Sequence, residues 1–447
     1  MATYLSRTPS TTGNRKTWTW SGWVKRNLNA AQQNLIAVST TTTTFSFLYF
    51  NPSNQLVMYS ADDGATGGYI QTTRQFNDIN GWYHILCTID TTNGTANDRM
   101  KLYVNGQQET SFVSRVNPIL NYDFYMNTSG NRMDIGSSGT GMSANSNVFY
   151  GLMSYISFID GTAYDASYFG ETDATTGEWK IKTSPSVTYG TNGFFILKDG
   201  NSVTDQSGNG NNYTVGNGTL TKTEDNPSNV FATFNPLYQT LAGTNVYSSG
   251  NTDLTSATDA NEFHGASTLA MTSGKYYAEF KMKNGQFNTV GITSTPSNDA
   301  RTNVAVRTSA NSYGLYSYNG KLNTSTYGAS YTAPNIIGVA VDLDNNKIYF
   351  SRNGNWATGS GAWGSTTWAS GTGAFTITDP SLTVEGAYFF AIGEASAGSS
   401  GKFSANFGNG YQGTTAVSSA GTNASGNGIF EYDVPTGFTA LSTKGLN

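Results

Sequence analysis

Charged residues, cysteines and histidines are scarce in this sequence, and each shortage excludes a class of site. Charged residues make up 12% of the chain, against about a quarter in an average globular protein. The net charge is −5, and lysine and arginine are not clustered in any segment. The sequence therefore lacks the basic stripe that contacts phosphates in nucleic-acid-binding proteins. The single cysteine, Cys87, excludes an internal disulfide and a cysteine-based zinc site, and two histidines are too few for a histidine-rich one.

Long apolar runs are missing as well. No segment approaches the roughly 20 consecutive apolar residues that span a bilayer. Residues 1–10 carry neither the basic nor the apolar block of a secretory signal. We therefore expect a protein that is made in a cytoplasm, does not insert into a membrane and does not leave by the general secretory route.

Aromatic, β-branched and turn-forming residues are abundant instead. Runs of aromatic and β-branched residues are divided by Gly, Asn and Ser, a pattern typical of many short strands joined by tight turns. Apolar residues do not recur at helical spacing. The sequence predicts an all-β fold, with the clearest strands at residues 17–24, 44–49, 82–90, 100–104, 152–159, 275–282, 336–341, 347–350, 388–392 and 402–407.

One long pattern occurs in both halves of the chain. It consists of a strand with an acidic end, a polar turn, a second strand and an Asn-Gly pair, and its two copies occupy residues 82–106 and 336–354. Asn-Gly tolerates the positive φ that tight hairpins require. The repeat predicts two domains of related architecture.

The boundary between the domains is predicted from a stretch with two prolines. Pro227 and Pro236 disfavour a continuous strand or helix. We expect two antiparallel β-sandwich domains in tandem, at residues 1–220 and 235–447, joined by a linker at 221–234.

A tryptophan-rich tract at residues 354–373 is the clearest candidate for a binding surface. It follows a predicted hairpin turn, so we expect a long loop. Two interpretations remain open: the tryptophans form an aromatic surface that stacks on sugar rings or docks a partner, or they fold over the sandwich edge and fill its core. With nearby tyrosines, the candidate ligand-binding residues are Trp356, Trp363, Trp368, Tyr313, Tyr316 and Tyr318.

A set of short segments in the first half is specific when taken together. They are residues 4–9, 13–25, 81–84, 98–106, 158–163, 169–173 and 189–194. In this order they resemble the laminin-G-like, concanavalin A-like jelly rolls found in structural proteins of marine tailed phages.

The second half resembles a SPRY domain, another concanavalin A-like sandwich. The supporting segments are residues 274–280, 290–292, 338–344, 348–350, 353–354 and 406–408. Residues 430–438 also resemble the end of such phage proteins. The resemblance implies a virion component with no cofactor and no catalytic residues, and it leaves open whether the protein belongs to the head, neck or tail.

Because the same fold occurs in glucanases, we searched the sequence for a pair of carboxylates with the spacing of a glucanase active site. Retaining glucanases hold two carboxylates about 5 Å apart. The nearest match is Glu171, Asp173 and Glu178, but Glu178 follows a glycine and falls out of register, so we expect a polar loop and no catalytic residue. His84 and Cys87 share a buried-strand pattern, which favours packing over catalysis.

A glycine-rich loop at residues 199–212 offers clustered oxygen atoms to a hard cation such as calcium. The candidate ligands are Asp199, Asp205 and Asn209. The same residue types also form ordinary turns through side-chain-to-backbone hydrogen bonds, and both interpretations stay open.

Together with the sequence patterns, this resemblance implies a non-enzymatic virion structural protein, exposed as a fibre, knob or decoration component of a tailed phage. The expected partners are host surface glycans or neighbouring virion proteins, and a homo-oligomer is the default for virion parts. Two alternatives remain: a purely architectural capsid or tail cement protein, and a polysaccharide-acting enzyme of the glucanase-like fold.

Overall fold

The computed structural model divides the chain into two compact units, Met1–Lys222 and Thr223–Asn447. It describes residues 3–142, 146–198, 200, 202–238, 245–255, 263–284, 287–296, 306, 311–394 and 401–446. Within these ranges, no helix is both long enough and apolar enough to cross a membrane.

The first unit is built from antiparallel strands. They are β1 (Tyr4–Arg7), β2 (Thr17–Arg26), β3 (Gln33–Ser39), β4 (Phe45–Phe50), β5 (Gln55–Asp62), β6 (Ala65–Gln75), β7 (Tyr83–Asp90), β8 (Met100–Val104), β9 (Gln107–Gln108), β10 (Phe112–Val116), β11 (Met133–Ile135), β12 (Gly151–Asp160), β13 (Gly170–Thr172), β14 (Trp179–Ile181), β15 (Phe194–Ile196) and β16 (Thr214–Gly216). Short 3-10 turns occur at Ala96–Asp98 and Ala166–Tyr168.

Two sheets of the first unit face each other across a core. The large sheet has the order β10-β6-β5-β4-β3-β11-β1-β16, the small sheet has the order β15-β12-β2-β7-β8-β9, and β13 pairs with β14 separately. Alternation along β2 directs Trp18 and Trp20 into the core, where both are fully buried. Trp18 lies 5.7 Å from the ring of Phe158 on the neighbouring strand. Apolar side chains from both sheets share this core, which defines a sandwich.

The second unit is also built from strands, almost all of them antiparallel. They are β17 (Val246–Ser248), β18 (Asp253–Thr255), β19 (Phe263–Ala266), β20 (Lys275–Asn284), β21 (Asn288–Thr293), β22 (Ser312–Tyr316), β23 (Lys321–Leu322), β24 (Ser325–Thr326), β25 (Ile336–Asp342), β26 (Lys347–Arg352), β27 (Asn355–Trp356), β28 (Phe375–Thr376), β29 (Phe389–Glu394), β30 (Lys402–Asn406), β31 (Tyr411–Gln412), β32 (Thr415–Ala416) and β33 (Thr439–Ala440). A 3-10 turn occurs at Pro380–Leu382.

The sheets of the second unit repeat the sandwich plan. The large sheet has the order β17-β18-β30-β20-β25-β26-β27, with β28 paired to β26 and β33 paired to β20 in parallel. The small sheet has the order β19-β29-β21-β22-β23-β24. Alternate residues of β20 and β21 enter one apolar core, for example Phe280 and Ile292. The predicted all-β fold of antiparallel sandwiches is confirmed.

The segment predicted as a linker at 221–234 instead belongs largely to the second unit, which begins at Thr223. Phe231 and Phe234 are buried, and Phe231 forms a β-bridge with Ser442 near the end of the chain. Prolines interrupt regular strands, as predicted, but they do not prevent the residues between them from packing into a core.

The repeated Asn-Gly pattern forms the same turn in both units. Asn105 has φ 48° and connects β8 to β9, and its side-chain oxygen accepts a hydrogen bond of 2.8 Å from the backbone N–H of His84. Asn353 also has φ 48° and connects β26 to β27, and its side chain accepts at 2.8 Å from the backbone N–H of Ile336. The predicted hairpin turns are confirmed. Each asparagine also anchors the start of the strand that pairs with the one before its turn, which is β7 for Asn105 and β25 for Asn353.

Candidate functional site

Trp356 belongs to the core of the second unit. It is 6% exposed, and its ring lies 6.3 Å from that of Tyr277 within a buried cluster that includes Phe430. A ring enclosed in this way offers no face to a sugar. This placement corrects the predicted ligand contact and matches the alternative in which the tract fills the sandwich core.

The other two tryptophans of the tract are half-buried against the same unit. The guanidinium of Arg352 lies 5.2 Å from the ring centroid of Trp363. Trp368 makes edge-to-face contacts with Tyr349 at 5.8 Å and with Phe438 at 5.6 Å. These contacts occupy much of each ring. Ligand binding by Trp363 and Trp368 stays a prediction.

Tyr313 is tied to the sandwich by its hydroxyl group. That oxygen accepts a hydrogen bond of 2.8 Å from the backbone N–H of Thr378 and lies 3.0 Å from the Thr378 hydroxyl. Its ring packs beside Phe375 and Tyr388, each 6.1 Å away between centroids. The structure therefore gives Tyr313 a packing role, which differs from the predicted surface contact.

Tyr316 and Tyr318 form an aromatic surface together with Phe287, a residue that the sequence pattern did not indicate. The ring of Phe287 lies 5.5 Å from that of Tyr318 and 6.4 Å from that of Tyr316, and the two tyrosines are 6.2 Å apart. Tyr318 is 62% exposed. We call these three residues the aromatic platform.

Strand pairing explains how the platform forms. Thr289 of β21 pairs with Tyr316 of β22. The backbone N–H of Ser317 donates to the carbonyl of Asn288 at 2.8 Å, and the Ser317 hydroxyl accepts from the N–H of Asn288 at 2.9 Å. Continued by one residue, this register sets Phe287 opposite Tyr318. Only the register reveals that partner, and the order of residues in the sequence does not give it.

Three side chains in the first unit, Ser21, His84 and Trp179, are linked by hydrogen bonds, and their arrangement bears on whether the protein could use a serine nucleophile for hydrolysis. His84 is fully buried, as the sequence predicted, and burial lowers its pKa to about 3, so the imidazole is neutral. Trp179 Nε1 donates to His84 Nδ1 at 3.1 Å. Because an indole nitrogen only donates, Nδ1 is the acceptor and the proton of His84 lies on Nε2.

That proton sets the direction of the next hydrogen bond. His84 Nε2 lies 2.9 Å from Ser21 Oγ, and with the proton on Nε2 the histidine donates to the serine. A general base would need a free lone pair on Nε2 to take the serine proton. The arrangement of Ser21, His84 and Trp179 therefore opposes serine activation and favours a structural role.

The carboxylates of the glucanase-like match lie on the separate β13–β14 hairpin. Asp173 accepts hydrogen bonds from the backbone N–H groups of Thr175 and Thr176 at 2.9 and 2.8 Å. It also forms an ion pair with Lys180, with 2.7 Å between the ammonium nitrogen and the carboxylate oxygen. These contacts hold the pKa of Asp173 well below its usual range. Asp173 thus closes a turn, as expected for a polar loop.

The predicted calcium loop is only partly described, because Asp199 lies outside the described residues. Both carboxylate oxygens of Asp205 accept protein hydrogen bonds, from the backbone N–H groups of Phe195 and Ser207 and from Asn211, at 2.8 to 2.9 Å. The amide of Asn209 donates to the backbone carbonyl of Gly190 at 2.7 Å. Ordinary turn bonding accounts for these contacts, and calcium binding stays a prediction.

Comparison with known proteins supports the fold of the first unit. A family model described as the concanavalin A-like lectin/glucanases superfamily matches residues 2–155. The concanavalin A-like sandwich predicted for the first domain is thereby confirmed. A search of curated proteins gave no match.

Three solved structures that are similar to parts of the chain are distant from it in sequence. The SPRY domain of human HERC1 is 17% identical, with a TM-score of 0.28 over 38% of this chain and 96% of that chain. A heptameric SAP-like pentraxin from Limulus polyphemus is 16% identical, with a TM-score of 0.27 over 36% and 71%. The CBM40 of a Ruminococcus gnavus IT-sialidase is 15% identical, with a TM-score of 0.27 over 34% and 80%.

Proposed function

We propose that the protein is a non-enzymatic virion structural protein that binds host surface glycans through the aromatic platform of its second unit. In this proposal it is assembled in the host cytoplasm, as a homo-oligomer, beside other virion proteins. The observation that carries glycan binding is the exposed ring of Tyr318 beside those of Phe287 and Tyr316.

Ring chemistry supports this assignment. Aromatic side chains present large rigid apolar faces with little entropy to lose on binding, and a pyranose ring has an apolar C–H face of matching size. The turn after Tyr316 also carries Asn319 and Lys321, both exposed, which supply hydrogen-bond donors and acceptors at the edge of the platform. A chain with so few charges depends on stacking and hydrogen bonds more than on electrostatic steering.

The test compares Tyr318→Ala with Tyr150→Ala, a substitution of an exposed tyrosine in the first unit. We expect Tyr318→Ala to weaken binding to glycan arrays and host cells by at least about tenfold, which corresponds to about 1.4 kcal/mol. Tyr150→Ala should bind like the unchanged protein. Equal binding by both folded variants would remove the platform from the proposal.

A purely architectural role is the second candidate, and a different surface favours it. Apolar residues are exposed along β10, an edge strand of the large sheet in the first unit, and in the loop after it: Val113, Val116, Ile119 and Leu120. An unpaired sheet edge with apolar side chains is a site where a strand of another protein can pair with the sheet. Locating the chain in a density map of intact particles separates the two roles, because cement lies between subunits and an adhesin lies at the periphery.

A further inference from the structure

Lys321 lies beside the aromatic platform, on the same outer face of the small sheet as Tyr316. Leu315 of β22 pairs with Leu322 of β23, and both side chains are fully buried in the core of the second unit. Successive residues of a strand point to opposite faces, so Tyr316 and Lys321 point outward. Continued by one residue, the same register sets them opposite each other, an arrangement in which Cβ atoms are about 5 Å apart.

Hydrogen bonds fix the turn that carries Lys321. The backbone N–H of Gly320 donates to the carbonyl of Tyr316 at 2.8 Å, and the backbone N–H of Lys321 donates to Asn319 Oδ1 at 3.0 Å. On its other side Lys321 pairs with Thr326 of β24. The fold therefore sets the backbone position of the lysine relative to the platform, and the flexible four-carbon side chain brings the ammonium group to the edge of the rings.

The positive charge of Lys321 is not compensated within the part of the chain that the structure describes. The residue is exposed, and no carboxylate of the described ranges forms an ion pair with it. Two lysines on the large sheet of the same unit behave differently, because Lys275 pairs with Asp342 and Lys283 pairs with Asp253, each at 3.0 Å. The ammonium group beside the platform is thus available to a ligand.

This charge distinguishes between classes of sugar. A pyranose ring stacked on an aromatic ring directs its substituents sideways, toward the edge of the platform where Lys321 lies. A carboxylate, sulfate or phosphate at that edge accepts a charge-assisted hydrogen bond, which is stronger than the bond to a neutral hydroxyl group. The net charge of −5 opposes an anion at long range, but salt screens exposed charges beyond about 8 Å under physiological conditions, so the nearby lysine decides.

We propose that the aromatic platform binds acidic glycans, with a sugar ring stacked on Tyr318 and its neighbours and an anionic substituent paired with Lys321. This inference rests on the proposed function, because it names the class of glycan for the same site. The rings supply most of the affinity and the lysine supplies the selection. Since an exposed ion pair changes an affinity only about twofold to fivefold, the lysine ranks glycans that the rings already bind.

The first experiment screens the full chain on an array of glycans in matched sets. The array holds uronic acid oligosaccharides beside their methyl esters, and sulfated and phosphorylated oligosaccharides beside their unmodified parents. Glycans whose signal is lost in Tyr318→Ala are ligands of the platform. Among these, we expect the acidic member of each set to give the stronger signal.

The second experiment measures, by calorimetry, the matched pair with the strongest signal. Lys321→Gln should lower the affinity for the acidic member about twofold to fivefold and leave that for the neutral member unchanged. Lys321→Arg should keep the preference, because it keeps the charge. Lys402→Gln is the control: it replaces an exposed lysine on β30 of the large sheet with the same change in net charge, and we expect no effect. The preference should also shrink as salt rises.

The outcomes separate this inference from the proposed function. Platform ligands that bind equally well in acidic and neutral form would overturn the acidic class and leave glycan binding intact. A preference for the acid that persists in Lys321→Gln, or that falls as much in Lys402→Gln, would overturn the pairing with Lys321. The absence of any glycan that depends on Tyr318 would contradict the proposed function itself, and the inference with it.

Discussion

Glu279 accepts a hydrogen bond of 2.9 Å from the backbone N–H of Tyr432, more than 150 residues later in the chain. The carboxyl group is fully buried in β20, and the N–H of Glu431 donates to it at 2.9 Å as well. The Tyr277 hydroxyl and the Asn406 amide donate at 3.2 and 3.3 Å. One acidic side chain therefore fixes the segment near the end of the chain to the large sheet of the second unit.

The raised pKa of this carboxyl group predicts that the second unit loses stability as pH rises. Burial raises the pKa of Glu279 from 4.5 to about 7, although the backbone N–H groups of Glu431 and Tyr432 oppose the shift. The folded state then binds more protons than the unfolded state between these values. The contribution of Glu279 to the free energy of unfolding is therefore fully present below pH 4.5 and falls until about pH 7.

Hydrogen exchange of peptides from the second unit, measured across this pH range after correction for the intrinsic rate, checks the prediction. Glu279→Gln is the control, because it removes the titration while keeping the size of the side chain. Its amide N–H2 faces backbone donors, so the variant should be less stable by about 1–3 kcal/mol at every pH. A wild-type slope no steeper than that of Glu279→Gln would contradict the assignment.

His84 predicts the opposite pH dependence for the first unit. Burial lowers its pKa from 6.5 to about 3, so between these values the unfolded state binds the extra proton. The contribution of His84 is present above pH 6.5 and is lost as pH falls toward 3. Exchange in peptides of the first unit should accelerate on acidification, and in His84→Gln this part of the acceleration should disappear. Identical slopes in the two proteins would refute the buried neutral histidine.

Local patterns were sufficient to predict much of the fold. Alternation along β2 correctly assigned Trp18 and Trp20 to one face, and the Asn-Gly pairs at Asn105 and Asn353 correctly marked hairpin turns, because both signals act between near neighbours. Burial of His84 followed from the same kind of pattern. These predictions required no knowledge of which strands pair.

Predictions that depend on distant partners were less successful. Phe231 was assigned to a linker, although its bridge to Ser442 places it in the second unit. Trp356 was a candidate ligand contact because a glycine-rich loop gives no sign of what it packs against. Phe287 was missed, since only the pairing of β21 with β22 brings it to Tyr318.

The burial of Trp356 predicts that its replacement strongly destabilises the second unit. Truncating a buried tryptophan to alanine costs about 3–5 kcal/mol, which is a large fraction of the stability of a typical domain. We therefore expect Trp356→Ala to lower the denaturant midpoint of the second unit strongly, whereas Tyr318→Ala, at an exposed position, should change it little. A Trp356→Ala protein with unchanged unfolding would show that the ring is dispensable for the core.

The bonding of Asp205 predicts that its loop holds its structure without calcium. Its two oxygens already accept hydrogen bonds from the backbone of Phe195, Ser207 and Asn211, so a cation would have to displace these donors. Thermal unfolding of the first unit should be the same in calcium and in a chelator. Asp205→Ala should lower stability by about 1–3 kcal/mol, because it leaves buried N–H groups unpaired. A melting temperature that falls in chelator, recovers with calcium and no longer responds in Asp205→Ala would instead establish Asp205 as a ligand.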